Sequence, residues 1–268
     1  MSILQSIILG IIQGLTEFLP ISSSGHLAII PYLFGWPNPP FSFLVLVQVA
    51  SLVAVITYYW NDILDISRAF IFALRQRKLF MTQESSLAVY IILATIPAGI
   101  AGLFLKDLVE TAFKTPLAIA VFFLITAGLL ALAEKFGRRF KSLKDIHSKQ
   151  ALIIGFFQAL AIFPGLSRSG STISGGMLQG LERPSAARFT FLLAIPILFA
   201  AGFLEIFDLL NAPGSSLFIM YIPGLIASGV VSYLSIRWLI RYLTNHSLYI
   251  FSLYCLFMGV LILLFQQF

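Results

Sequence analysis

Two short segments hold most of the side chains able to do chemistry. The first reads Gln13-Gly14-Leu15-Thr16-Glu17-Phe18-Leu19-Pro20-Ile21-Ser22-Ser23-Ser24-Gly25-His26. Gln13 and Glu17 are four apart, so on a helix they share a face. An ionised carboxylate in such an apolar run costs several kcal/mol unless it is paired or holds a cation. Ser23 lies three residues before His26 and could fall within its reach, with His26 as base and Ser23 as nucleophile. The second segment is Pro164-Gly165-Leu166-Ser167-Arg168-Ser169-Gly170-Ser171-Thr172. A Ser/Gly turn opening a helix presents hydroxyls and backbone N–H groups at the positive end of the helix dipole, which is an anion site. Arg168 adds a planar fork suited to phosphate oxygens. At membrane depth an arginine costs about 2.5–3.5 kcal/mol on insertion scales, which marks it as functional by default. The plainer readings are a structural Glu17–Arg168 ion pair and, for Ser174, Gly175 and Gly176, close helix packing.

The elements around these segments belong to a membrane. Of 268 residues, 59% are hydrophobic and only 10% charged, with 26 Phe. Ordinary soluble domains carry about 25% charged residues. A soluble enzyme, a disordered chain and a nucleic-acid binder are excluded. One cysteine, Cys255, excludes an intrachain disulfide and a Cys-rich metal site. The three histidines contain no His-x-x-x-His pair, which excludes a zinc-protease helix. No Lys or Arg precedes Arg68, so a basic signal-peptide n-region is missing and the apolar start is expected to belong to the mature protein.

Six stretches have the length and flanks of spans: 41–60, 87–105, 116–134, 186–207, 218–240 and 247–267. Regions 1–35 and 150–181 are apolar but broken by a proline and a Ser/Gly cluster, as expected for re-entrant helix–loop–helix hairpins. With both hairpins returning to the side they enter, fourteen of seventeen basic residues lie on one face. They are Arg68, Arg75, Arg77 and Lys78; Lys135, Arg138, Arg139, Lys141, Lys144 and Lys149; Arg183 and Arg188; Arg237 and Arg241. Only Lys106 and Lys114 fall opposite, and Arg168 sits within a hairpin. The positive-inside rule makes the basic face cytoplasmic and accounts for the net charge of +6 without nucleic acid. The amphipathic stretch 61–86 fits an interfacial helix or, the simpler reading, a solvated loop with a short helix.

The two broken regions repeat. Gly10-Ile11-Ile12-Gln13 aligns with Gly155-Phe156-Phe157-Gln158, and Ser22-Ser23-Ser24-Gly25 with Ser167-Arg168-Ser169-Gly170, both at an offset of 145 residues. Three expected spans lie between them, and an odd number reverses direction, so the duplication is inverted. The expected fold is an all-α polytopic membrane protein of six transmembrane helices and two re-entrant hairpins. It forms one integral membrane domain, 1–268: repeat one about 1–134, a basic cytoplasmic loop 135–149, and repeat two about 150–268. Inverted repeats place a site near the bilayer midplane where broken helices meet. Transporters share that architecture, so a polyprenyl-phosphate flippase or another secondary transporter using the same anion site is the alternative.

Gln13-x-x-x-Glu17, Leu19-Pro20-x-Ser22-Ser23-x-Gly25-His26, Pro164-Gly165-x-Ser167-Arg168-Ser169-x-x-Thr172 and Thr172-Ile173-Ser174-Gly175-Gly176-Met177 together resemble the bacitracin-resistance family of undecaprenyl-diphosphate phosphatases. The resemblance covers essentially the whole chain. It implies hydrolysis of undecaprenyl diphosphate to the monophosphate and inorganic phosphate, recycling the lipid carrier of peptidoglycan and cell-wall synthesis and conferring bacitracin resistance. It implies a divalent cation, magnesium or calcium, and a site in the bacterial plasma (inner) membrane opening toward the outer face. It also suggests a homodimer. On this reading Glu17 and Gln13 bind the cation; Ser22, Ser167, Arg168, Ser169 and Thr172 hold the phosphates; and Glu17, Ser23, His26 and Arg168 carry the chemistry. The attacking group is Ser23, His26 or water. Because Gln13 is uncharged, the cation site is expected to be weaker than one built from two carboxylates.

Overall fold

A computed structural model describes residues 1–211 and 219–265, the side chains of 204–211 excepted. The chain folds into α1 (Ile3–Thr16), α2 (Ser23–Leu33), α3 (Phe41–Tyr58), α4 (Trp60–Arg75), α5 (Gln83–Phe104), α6 (Lys106–Phe113), α7 (Pro116–Phe136), α8 (Ser148–Leu160), α9 (Arg168–Leu178), α10 (Arg183–Asn211), α11 (Ile222–Asn245) and α12 (Tyr249–Phe265). The described residues contain no strand, only one isolated bridge between Lys141 and Leu181.

Local sequence explains where the helices begin. Ser2 and Gln5 form a capping box on α1, Thr82 and Ser85 do so on α5, and Pro116 occupies the first turn of α7. Pro97 and Pro196 lie inside α5 and α10, where neighbouring helices can satisfy the carbonyls they free.

Five helices among the described residues are long and apolar enough to cross a membrane: Phe41–Tyr58, Gln83–Phe104, Pro116–Phe136, Arg183–Phe203 and Ile222–Asn245. Four of the five reach beyond the expected spans at one end or the other, because capping residues and amphipathic flanks extend a helix past its apolar stretch. The sixth expected span, 247–267, contains α12, whose 17 helical residues are apolar but rise only about 26 Å against a hydrocarbon core of about 30 Å. Residues 218, 266 and 267 of the expected spans lie outside the described residues. The stretch read as mostly loop at 61–86 is instead largely the 16-residue α4. It leaves Ile71, Phe72 and Leu74 exposed beside Arg75. Exposed apolar side chains such as Val53, Ile100, Leu103 and Phe257 fit a surface that meets lipid.

The sequence repeat reappears as an exchange of packing partners. The broken helix α1 packs on α11, and its counterpart α8 packs on α5; α3 packs on α10 and α7 on α12. Both exchanged contacts depend on glycine. A Cβ on Gly10 would sit 2.1 Å from the Gly224 carbonyl oxygen, and one on Gly155 would sit 2.5 Å from that of Ala94. Positions 10 and 155 are related by the same 145-residue offset. In a bilayer, where lipid tails compete with apolar side chains, such close backbone approach is a main source of helix association.

Candidate active site

Each half contributes a helix that stops short and a second that starts with a serine cap. α1 ends at Thr16, whose hydroxyl donates back to the Ile12 carbonyl at 2.7 Å. A turn through Leu19 and Pro20 leads to Ser22, which adopts φ +69° and whose Oγ accepts from the Gly25 N–H at 3.3 Å to cap α2. In the second half, Ser167 Oγ accepts from the Gly170 N–H at 3.0 Å to cap α9. The two caps are 145 residues apart at both donor and acceptor. The loop before α9 turns at Gly165 (φ +94°), where a Cβ would lie 2.4 Å from the Ile119 carbonyl oxygen. Thr126 of α7 pins that loop, donating to the Gly165 carbonyl at 3.1 Å and accepting from the Ser167 N–H at 3.0 Å.

These two turns meet, and Glu17 is the junction. Its Oε1 accepts a charge-assisted bond from Arg168 Nη2, and its Oε2 accepts from Ser23 Oγ at 2.5 Å and Gln13 Nε2 at 2.9 Å. The Glu17 and Arg168 side chains are 6% and 16% exposed, so this pair is largely removed from solvent. Ser169 Oγ donates to the Leu19 carbonyl at 2.9 Å and lies 3.1 Å from Ser167 Oγ, tying α9 to the first turn a second time. Behind Gln13, Ser51 of α3 lies 3.5 Å from Nε2, accepts from Ser232 at 2.9 Å and lies 3.2 Å from Ser228.

The structure thus brings Gln13, Glu17, Ser23 and Arg168 into one hydrogen-bonded set, with Ser167 and Ser169 alongside. The expected Ser23–His26 pair does not form. Ser23 gives its proton to Glu17, while His26 contacts the Ser22 carbonyl through Nδ1 at 2.7 Å and the Tyr254 hydroxyl through Nε2 at 2.6 Å. The reason is competition: the Glu17 carboxylate of the preceding turn takes the Ser23 hydroxyl, and both ring nitrogens of His26 are occupied, by the Ser22 carbonyl and by Tyr254 of α12. Thr172 spends its hydroxyl on the carbonyl of Arg168 at 2.8 Å, and Ser22 uses its own as the cap. Ser51, Thr126 and Tyr254 escaped the sequence reading, since each is an isolated hydroxyl in an apolar span with no motif around it.

Gln13 Oε1 is buried and has no hydrogen-bond partner, because the amide presents its N–H side to Glu17 and Ser51. Turned over, the amide would set Oε1 toward the Glu17 carboxylate, and the two would form a donor pair of the kind hard divalent cations take. No cluster of three or more His, Cys, Asp or Glu exists among the described residues, so such a cation would draw its other ligands from water or substrate oxygens.

Membrane-length helices enclosing a carboxylate, a guanidinium and several hydroxyls define a multi-pass membrane protein with a largely buried polar centre built on an ion pair. The sequence profile described as bacitracin resistance protein BacA matches residues 6–261, and the chain belongs to that family. It is 44% identical to an undecaprenyl-diphosphatase of Chlorobium phaeobacteroides, over 98% of this chain and 96% of that one. It is 41% identical to an undecaprenyl-diphosphatase of Methanosphaera stadtmanae, over 97% of each. Identity to the undecaprenyl-diphosphatase of Thermomicrobium roseum is 38%, over 100% of this chain and 99% of that one.

Proposed function

We propose that this protein hydrolyses undecaprenyl diphosphate to undecaprenyl phosphate and inorganic phosphate. The observation that carries the reading is the joining of Arg168 to Glu17 while Glu17 also holds the Ser23 hydroxyl. Arg168 uses only Nη2 on Glu17, which leaves the rest of its fork, with the N–H groups of the α9 start, for phosphate oxygens. Charge that develops on those oxygens in the transition state is then met by donors already in place.

On this reading Ser23 attacks the terminal phosphorus, supported by the bond its hydroxyl gives to Glu17. Its proton passes to Glu17 Oε2 as the new O–P bond forms, and the bond to the bridging oxygen breaks to release undecaprenyl phosphate. Water then cleaves the phosphoserine; Glu17 returns its proton to the serine oxygen, and the water's spare proton leaves with the phosphate. A divalent cation held by Gln13 Oε1 and Glu17 supplies neutralisation of the diphosphate charge when bound. The hydroxyls of Ser167 and Ser169 line the phosphate side; Ser22 and Thr172 act through the caps and turns they hold.

The topology that suits this chemistry is six spans with two re-entrant hairpins of opposite entry, supported by the lengths of α1, α2, α8 and α9, each too short to cross, and by the meeting of their broken ends at Glu17 and Arg168. The basic loops then face the cytoplasm of a bacterial plasma membrane, and the site opens toward the outer face. Nothing in the relatives' names or in the site favours a flippase. The test is phosphate release from a polyprenyl diphosphate by purified protein in detergent, with and without chelator. Detergent leaves no second compartment, so release there is hydrolysis, and its absence overturns the assignment.

A further inference from the structure

His26 is held from three directions. Its Nδ1 faces the Ser22 carbonyl oxygen at 2.7 Å, its Nε2 faces the Tyr254 hydroxyl at 2.6 Å, and the Phe123 ring meets it edge-on with centroids 5.4 Å apart. Tyr254 also stacks on it, with ring planes 10° apart. A carbonyl oxygen can only accept, so Nδ1 carries a proton. His26 is 3% exposed and touches no carboxylate among the described residues, and an uncompensated charge there would be costly. The ring is therefore neutral, Nε2 bears the lone pair, and the phenol of Tyr254 donates to it.

Two further observations show that this arrangement is built. Ser22, whose carbonyl also accepts the His26 backbone N–H at 3.3 Å, adopts φ +69°, a conformation rare for a residue with a side chain and concentrated at functional sites. The residue after Tyr254, Cys255, donates its thiol to the Pro20 carbonyl at 3.6 Å. α12 thus grips the first hairpin from two consecutive residues, at Pro20 in its turn and at His26 in α2, although it belongs to the other half of the chain.

We infer that Tyr254 is a positioning residue for the reaction: the Ser22 carbonyl fixes the Nδ1–H form of His26, and the Tyr254 hydroxyl, donating to Nε2, holds that imidazole beside the Ser22–Ser23 turn. Its consequence for turnover rests on the diphosphatase reading, whereas the location of the proton does not. Tyr254→Phe keeps the stacked ring and deletes only the hydroxyl, which makes it the informative variant.

The experiment pairs two measurements. In wild-type protein labelled with 15N-histidine, with His26 assigned through His26→Gln, the expected pattern is a single Nδ1–H tautomer. In Tyr254→Phe the Nδ1–H tautomer persists, the Nε2 resonance shifts as its hydrogen bond is lost, and kcat for phosphate release falls about tenfold with KM within about twofold, the effect of losing one hydrogen bond. A purely structural role for Tyr254 would leave kcat of the folded variant unchanged or move kcat and KM together, and either result overturns the proposal. So does an Nε2–H pattern in wild-type protein, which is read whether or not the variant folds, or an Nε2 resonance that does not move in Tyr254→Phe. If wild-type protein releases no phosphate, the diphosphatase reading fails and the 15N pattern alone decides the placement of the proton.

Discussion

Glu17 and Arg168 lie 151 positions apart in the chain and join through Oε1 and Nη2, in a contact that links the end of α1 to the start of α9. Neither residue could sit alone at membrane depth without a large desolvation cost. Together they leave most of the guanidinium fork available. Arg168→Ala is expected to lower turnover at least about 100-fold, the usual cost of removing a preorganised charge donor. Arg168→Lys keeps the charge, loses the fork and should recover only part of the rate. Phosphate release by correctly folded protein measures both; a loss under tenfold for the alanine variant makes the pair structural.

Ser23 is tested by trapping. Acid-quenched turnover should leave label on serine, since phosphoserine survives acid and phosphohistidine does not. Ser23→Ala should fall by at least about 1,000-fold. Near-normal turnover in that variant assigns the attack to another group.

Gln13→Glu adds a second carboxylate beside Glu17, at the position where an amide oxygen now lacks a partner. Its half-activating concentration of magnesium or calcium should drop several-fold, since affinity follows the charge of the ligands. Glu17→Gln should abolish cation activation. Titration of phosphate release with cation in chelator-treated protein reads both.

The glycine contacts predict a contrast in folding. Gly10→Val would drive a side chain into the Gly224 backbone and should sharply reduce the yield of monodisperse protein in detergent. Gly128→Ala meets nothing within 4 Å and, in a helix interior, should leave stability equal or higher by up to about 1 kcal/mol.

Glu134 offers a stability test away from the chemistry. It is buried and accepts from Arg183 at 2.6 Å through both oxygens, from Arg139 at 2.9 Å and from the Leu248 N–H at 2.7 Å. Glu134→Gln strands Arg183 and should lower the thermal midpoint more than Arg139→Ala does, because Arg139 is a third exposed and returns readily to water.

Much of this site was legible because its signals are costly in a membrane. Glu17 and Arg168 stand out against apolar neighbours, the Pro and Ser/Gly breaks cannot continue a helix, and a fixed offset links the two broken regions. That offset extends in three dimensions to the Gly10 and Gly155 contacts and to the serine caps. The partner of Ser23 was not legible, since a spacing of three residues gives proximity along the chain but not the direction of the helix start. Tyr254 was hidden for another reason: its relation to His26 is set by which helices pack, and one tyrosine in an apolar span carries no mark of that. The extent of α4 was missed because its mixed charged and apolar residues fit a helix lying across the bundle as well as a loop.

The exchange of partners between halves also bears on how the protein is made. The first broken helix finds its bed on α11, which leaves the ribosome only after most of the chain has been inserted. Glu17 waits in the bilayer without its guanidinium until α9 follows, and α1 has no bed until α11 arrives later still. Biogenesis therefore ends with assembly of the centre, and a product truncated before the last helices would be inert as well as shorter.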